Sequence, residues 1–160
     1  MRLSNRYYRC FFTGHRIIAN SEEVKYRLKE VIEALINENG VDEFICGGAI
    51  GFDTLAARAV LELKEKYDWI KLKIYIPCYE HYIKWNMRDR EIWKKISSKA
   101  DEIKYITQGP YDSQCMHRRN RAMVNDAHFC VAYCLNGASG TGVTLRFARE
   151  MSCDIRNIAE

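Results

Sequence analysis

Between Glu43 and Leu63 the chain passes from a short apolar run, through Gly47-Gly48-Ala49-Ile50-Gly51, into a stretch where Leu55, Ala56, Ala59, Val60 and Leu63 recur at helical spacing. This is the pattern of a strand, a glycine turn and the first turn of a helix. Glycine lets the backbone turn sharply and lets another group approach its peptide NH groups. A helix N-terminus presents unpaired NH donors and a partial positive charge. Together they suit a phosphate, although the same geometry also serves a tight turn with no ligand.

The same alternation runs through the chain. Tyr8 to Thr13 reads as a first strand, followed by the polar loop Thr13-Gly14-His15-Arg16. A helix is expected from Ser21 to Asn39, with Asn20 and Glu23 forming a capping box and Gly40 as its stop. Strands are expected at Glu43–Cys46, Leu72–Ile76, Glu102–Ile106 and His128–Cys134, with a last strand or tail at Asp154–Ile158. The intervening helices are expected from the glycine turn to about Lys66, then at Glu80–Ser97, Asp112–Asp126 and Thr141–Met151. Leu145, Ala148 and Met151 are the expected core face of the last. Strand and helix in strict alternation imply a largely parallel sheet covered on both faces. Right-handed crossovers then bring every strand-to-helix loop to one edge, where ligands of such sheets bind.

The 160 residues, 48% of them hydrophobic, suffice for one domain spanning 1–160. The net charge of +4 permits an anionic ligand without demanding nucleic acid. No apolar run approaches a membrane span, and the basic, polar start does not read as a signal peptide. The seven cysteines contain no CxxC pair and read as small buried residues in a reducing, cytoplasmic setting, not as a zinc site.

A second glycine loop, Asn136-Gly137-Ala138-Ser139-Gly140-Thr141-Gly142, follows the fifth strand. It is neither a Walker loop, since no Gly-Lys-Ser/Thr follows, nor a dinucleotide fingerprint. The run His117-Arg118-Arg119-Asn120-Arg121 sits in the first half of a helix, where cations oppose the dipole unless an anion answers them. Arg118 and Arg119 cannot face the same way on a helix. Arg16 is favoured over His15 as a contact. Trp85 and Tyr82 either stack on a base or pack a helix onto the sheet. Asp53 suits helix capping or ribose hydroxyls.

Thr13-Gly14-His15-Arg16, Gly47-Gly48-Ala49-Ile50-Gly51-Phe52-Asp53, Gly140-Thr141 and Arg119-Asn120-x-x-Met123-Val124 together resemble the YpsA-like branch of the SLOG superfamily, over about residues 8–158. That superfamily also includes the DNA-processing protein DprA and the Lonely-guy phosphoribohydrolases. The resemblance implies an α/β, Rossmann-like three-layer sandwich with a mainly parallel sheet of five or six strands. It also implies a site for a nucleotide or ADP-ribose derivative, with no cofactor or metal required. The expected contacts are Thr13, Gly14, Arg16, Gly47, Gly48, Gly51, Asp53, Arg119, Asn120, Gly137, Ser139, Gly140 and Thr141. The first reading is therefore a sensor, sponge or regulator. The second is a nucleotide N-glycosidic hydrolase, for which Asp53 and Asp126 are the candidate acids. The third, nucleic-acid binding, is set aside on the mild charge, and a homodimer is left open.

The hydrolases of the superfamily carry a glutamate three residues after the threonine of their second glycine motif. Here Thr144 stands at that position. Cleaving an N-glycosidic bond builds positive charge on the ribose, which a preorganised carboxylate stabilises and a neutral hydroxyl does not. Overnight incubation with AMP or ADP-ribose should leave the nucleotide intact by chromatography. Release of base or ribose 5-phosphate, abolished by Asp53→Asn or Asp126→Asn, would establish the hydrolase instead.

Overall fold

The computed structural model describes residues 4–159. After a short 3-10 turn at Asn5–Tyr8 come β1 (Arg9–Gly14), α1 (Ser21–Asn39), β2 (Glu43–Cys46), α2 (Phe52–Lys64), β3 (Lys71–Ile76) and α3 (Met87–Lys99). Then follow β4 (Glu102–Tyr105), α4 (Cys115–Asp126), β5 (Phe129–Tyr133), α5 (Gly140–Glu150) and β6 (Asp154–Asn157). All strand pairs are parallel, in the order β4-β3-β2-β1-β5-β6. The expected fold class is the observed one, with the last segment a true sixth strand.

Side chains alternate across each strand, and this alternation divides the core. Phe12, Phe44 and Ile74 face α1, α2 and α3, meeting Leu28, Ile32, Ala56, Val60 and Ile96. Phe11, Ile45 and Cys130 face α4 and α5, meeting Met123, Val124, Leu145 and Ala148. The chain proceeds outward from β1 to β4 and then returns to place β5 on the other side of β1. The strand order therefore reverses between β1 and β5, and their following loops diverge there.

Three local expectations are corrected. Asn20 does sit at the N-cap of α1, but at φ 54° and ψ 51°, with no side-chain capping bond. A capping box needs extended backbone at that residue; Asn20 instead uses its tolerance of left-handed backbone to redirect the chain. The third helix starts at Met87, not Glu80. Glu80 itself has a φ of 51°, and Asn86 caps the helix by accepting from Asp89 N at 2.8 Å. Trp85 thus lies in a turn. Met151 falls outside α5 and is exposed, leaving Leu145 and Ala148 as the buried pair.

Gly51 is the residue on which the β2–α2 junction closes. Its φ is 81° and its ψ −123°, and a Cβ there would lie 2.2 Å from the Arg16 carbonyl oxygen. Gly51→Ala should lose about 1–3 kcal/mol from backbone conformation alone, and more from the collision, as read from the urea midpoint. Gly109→Ala, where a Cβ meets nothing within 4 Å, should stay within about 0.5 kcal/mol of the parent.

Candidate anion-binding crevice

Where the loops after β1 and β5 part, a crevice of about 280 Å³ opens. Thr13, Gly14, His15 and Arg16 come from the end of β1, and Ala49 and Asp53 from the β2–α2 junction. Arg119 and Asn120 come from α4, and Ser139, Gly140 and Thr141 from the start of α5. Four segments far apart in sequence thus converge because parallel topology sends them to one edge.

The α5 end is organised by its own loop. Ser139 is the N-cap: its hydroxyl accepts from Gly142 N at 3.1 Å and donates to the Asn136 carbonyl. Asn136 Oδ1 accepts from Ala138 N at 3.0 Å. The amides of Gly140 and Thr141 are left without a partner among the described residues, as the first turn of a helix requires. They are free donors at the positive end of a dipole.

Arg119, also in the crevice lining, is 6% exposed. Its Nη1 donates to the Gly47 carbonyl, its Nε to Asn120 Oδ1 at 2.8 Å, and its Nη2 approaches Met116 Sδ at 3.6 Å. A guanidinium has five N–H donors in a fixed fork, so these contacts leave donors on Nη1 and Nη2 unspent. Asp53, 8% exposed, accepts from Ala49 N at 3.2 Å. The two charges flank Gly47. A Cβ at that residue would lie 2.6 Å from Arg119 Nη1 and 2.8 Å from Asp53 Oδ2, so only glycine admits both.

Burial sets the titration of both groups. It raises the Asp53 pKa above the ordinary aspartate range, against the attraction of Arg119 and the Ala49 amide. It also lowers the Arg119 pKa, with Asp53 opposing.

The expected site residues divide. Thr13, Gly14, Arg16, Asp53, Arg119, Asn120, Ser139, Gly140 and Thr141 meet at the crevice. Gly48 and Gly51 line a cavity on the other side of the loop instead. A Cβ on Gly48 would meet Ile74, Ile76 and Trp93 at 3.2–3.3 Å, so this glycine answers a φ of 72° and close packing. Gly137 packs beneath Gly142 and accepts from Arg146 Nη1 at 2.7 Å. The Ser139 hydroxyl is spent on the cap. Asp126 is at the far end of α4, accepting from the Tyr75 hydroxyl, and its neighbour is Arg9 at the start of β1. It is therefore remote from the crevice. Arg118 points outward to Asp112 and Thr107. Thr144 is 4% exposed and its hydroxyl donates to Gly140 O at 3.1 Å.

One histidine escaped the sequence reading, and another has a role that reading did not give it. His15, ranked below Arg16, accepts from Leu135 N at its Nε2, 2.8 Å away, and so ties the two diverging loops together. His81 lies 3.1 Å from Gly48 O through Nε2. Burial pushes its pKa down to about 4, so the ring is neutral and must carry its proton on Nε2 to donate. A histidine in a turn mistaken for a helix leaves no sequence signal for this.

An α/β fold of this order, with a charged crevice at its switch point, is Rossmann-like. The chain belongs to the YpsA family, whose model, described as the YspA SLOG family, matches residues 14–141. It is 30% identical over 139 residues to the uncharacterized SPbeta prophage-derived protein YoqJ of Bacillus subtilis (strain 168), covering 80% of this chain and 81% of that protein. It is 30% identical over 102 residues to a UPF0398 protein of Bacillus pumilus (strain SAFR-032), covering 63% of this chain but 54% of the relative. Among solved structures it resembles DNA processing protein A of Streptococcus pneumoniae, with a TM-score of 0.67 and 19% identity, over 93% of this chain and 49% of the other. It also resembles DNA processing protein A of Helicobacter pylori, with a TM-score of 0.69 and 15% identity, over 97% and 68%. Among the described residues no helix is long and apolar enough to cross a membrane.

The raised pKa of Asp53 makes a prediction with a definite sign. The stability it contributes is full below the ordinary aspartate value of about 3.9 and is lost as pH rises through the higher folded-state value. Asp53→Asn should remove that fall, flattening the urea-derived stability across this window. An unchanged pH profile in the variant would show that Asp53 titrates normally.

Proposed function

We propose that the protein binds a nucleotide or ADP-ribose-type ligand, as a sensor, sponge or regulator, with a phosphate seated in the crevice. The observation that carries this reading is the set of open donors that line one crevice. It holds the free amides of Gly140 and Thr141 together with the buried, incompletely spent guanidinium of Arg119. Charge-assisted bonds from a preorganised guanidinium are the strong class of anion contact. Asp53 stands beside them as the acceptor for a sugar hydroxyl. It is also the only carboxylate lining the crevice among the described residues. Thr144 has its hydroxyl committed to α5, so the arrangement favours holding a ligand over cleaving it.

A nucleic-acid ligand is the second reading, and the fold likeness gives it more weight than the net charge suggested. The Helicobacter pylori neighbour was solved in a study of its single-stranded DNA binding. In this chain His117, Arg118 and Arg121 line a groove of about 470 Å³ between α4 and α5, adjoining the crevice at Asn120.

ADP-ribose at a hundred times its dissociation constant should stabilise the protein by about 2.7 kcal/mol in thermal melts. Arg119→Ala should weaken binding by about 1.5–3 kcal/mol, and Arg118→Ala far less. Because Arg119 also holds Gly47, Asn120→Asp serves as a second variant. It keeps the acceptor for Arg119 Nε and sets a negative charge on the crevice wall. A panel of adenine, guanine and ADP-ribose nucleotides that leaves the melting temperature unmoved at millimolar concentration would contradict the reading. Tight retention of a single-stranded oligonucleotide, lost with Arg118 and Arg121, would replace it with the second.

A further inference from the structure

Across the Gly48–Gly51 loop from the crevice lies a larger cavity of about 510 Å³, between the start of α2 and α3. The two share Arg16, Ala49 and Asp53 as walls. Their chemistry differs. The crevice is ringed by donors, whereas the cavity is lined by Trp85, Trp93, Ile92 and Ile17, with Arg88 and Asp89 from the first turn of α3. Its size lies within the usual range for small-molecule sites, about 300–1,000 Å³.

The two indoles are fixed in place. The His81 ring meets Trp85 edge-on at 5.2 Å and Trp93 edge-on at 4.9 Å. It is itself anchored to the Gly48 carbonyl. A neutral imidazole braced between two tryptophans and the glycine loop ties the aromatic wall to the loop that separates the two spaces. Both indoles are only half-buried, so apolar ring surface is left for a planar partner. Arg88 and Asp89 add a donor and an acceptor of the kind that read the edge of a heterocycle.

We infer that this cavity takes the nucleobase of the ligand whose phosphate sits in the crevice, with the sugar passing Asp53 where the two spaces meet. This rests on the function proposed above and names the half of the ligand that the crevice leaves unaccounted for. A base stacks on an aromatic side chain through its π-face whatever its edge, so the subsite selects for a base over no base before it selects among bases.

The test compares AMP with ribose 5-phosphate by titration calorimetry and tryptophan emission. AMP should bind at least about tenfold more tightly, as base–aromatic stacking implies, and should quench emission where ribose 5-phosphate does not. Trp85→Ala should bring AMP down to the affinity of ribose 5-phosphate and leave the latter unchanged. Ile17 is 89% exposed at the cavity wall, so Ile17→Asp should reduce the AMP preference without disturbing the core. Equal affinities, or an AMP preference that survives both variants, would overturn the base subsite while leaving the phosphate seat standing. Binding of neither compound would overturn both.

Discussion

The Arg119 guanidinium, buried against the Gly47 carbonyl, is the interaction on which the ligand edge depends. It joins α4 on one side of the sheet to the end of β2, and it fixes the wall of the crevice. Burying a charge is costly unless it is paired and hydrogen-bonded. Here the compensation comes from a carbonyl, from Asn120 and from the nearby Asp53. Neither charge is satisfied in full, since burial still drives the Asp53 pKa upward. An anion bound beside Arg119 would add the missing counter-charge, which makes binding and local stability parts of one balance.

The glycines serve this arrangement more than they touch a ligand. Gly47 leaves room for the two charges, and Gly14 leaves room for Phe52, which a Cβ would approach to 2.5 Å. Gly51 lets the start of α2 lie against Arg16. Small residues at a strand-to-helix junction are thus explained by backbone meeting backbone and by packed side chains. The donors left open in the crevice are fewer: two amides of α5 and part of one guanidinium.

Much of this was readable from the residues. Apolar runs at Tyr8–Thr13 and Glu43–Cys46 marked strands, because buried parallel strands carry apolar side chains on both faces. Helix spacing said only that Arg118 and Arg119 face different ways, by about 100°; the choice of Arg119 came from the family resemblance. Periodicity failed at Glu80–Asn86, where aromatic residues at helical spacing pack around His81 from a turn. It had no means of showing that Glu80 adopts left-handed backbone. Asp126 looked as plausible as Asp53 in sequence. Only the direction of α4, which carries its C-terminus to the far edge, separates them. The division of the glycine loop between a polar crevice and an aromatic cavity is likewise a property of the three-dimensional path.

Amide chemical shifts of labelled protein titrated with ADP-ribose test the central claim most directly. The account predicts that the largest changes fall on Gly14, Asn120, Gly140 and Thr141, with the Arg119 Nε resonance moving alongside them. Largest changes on the outer groove at Arg118, Arg121 and Phe147, or no change at millimolar ligand, would contradict it.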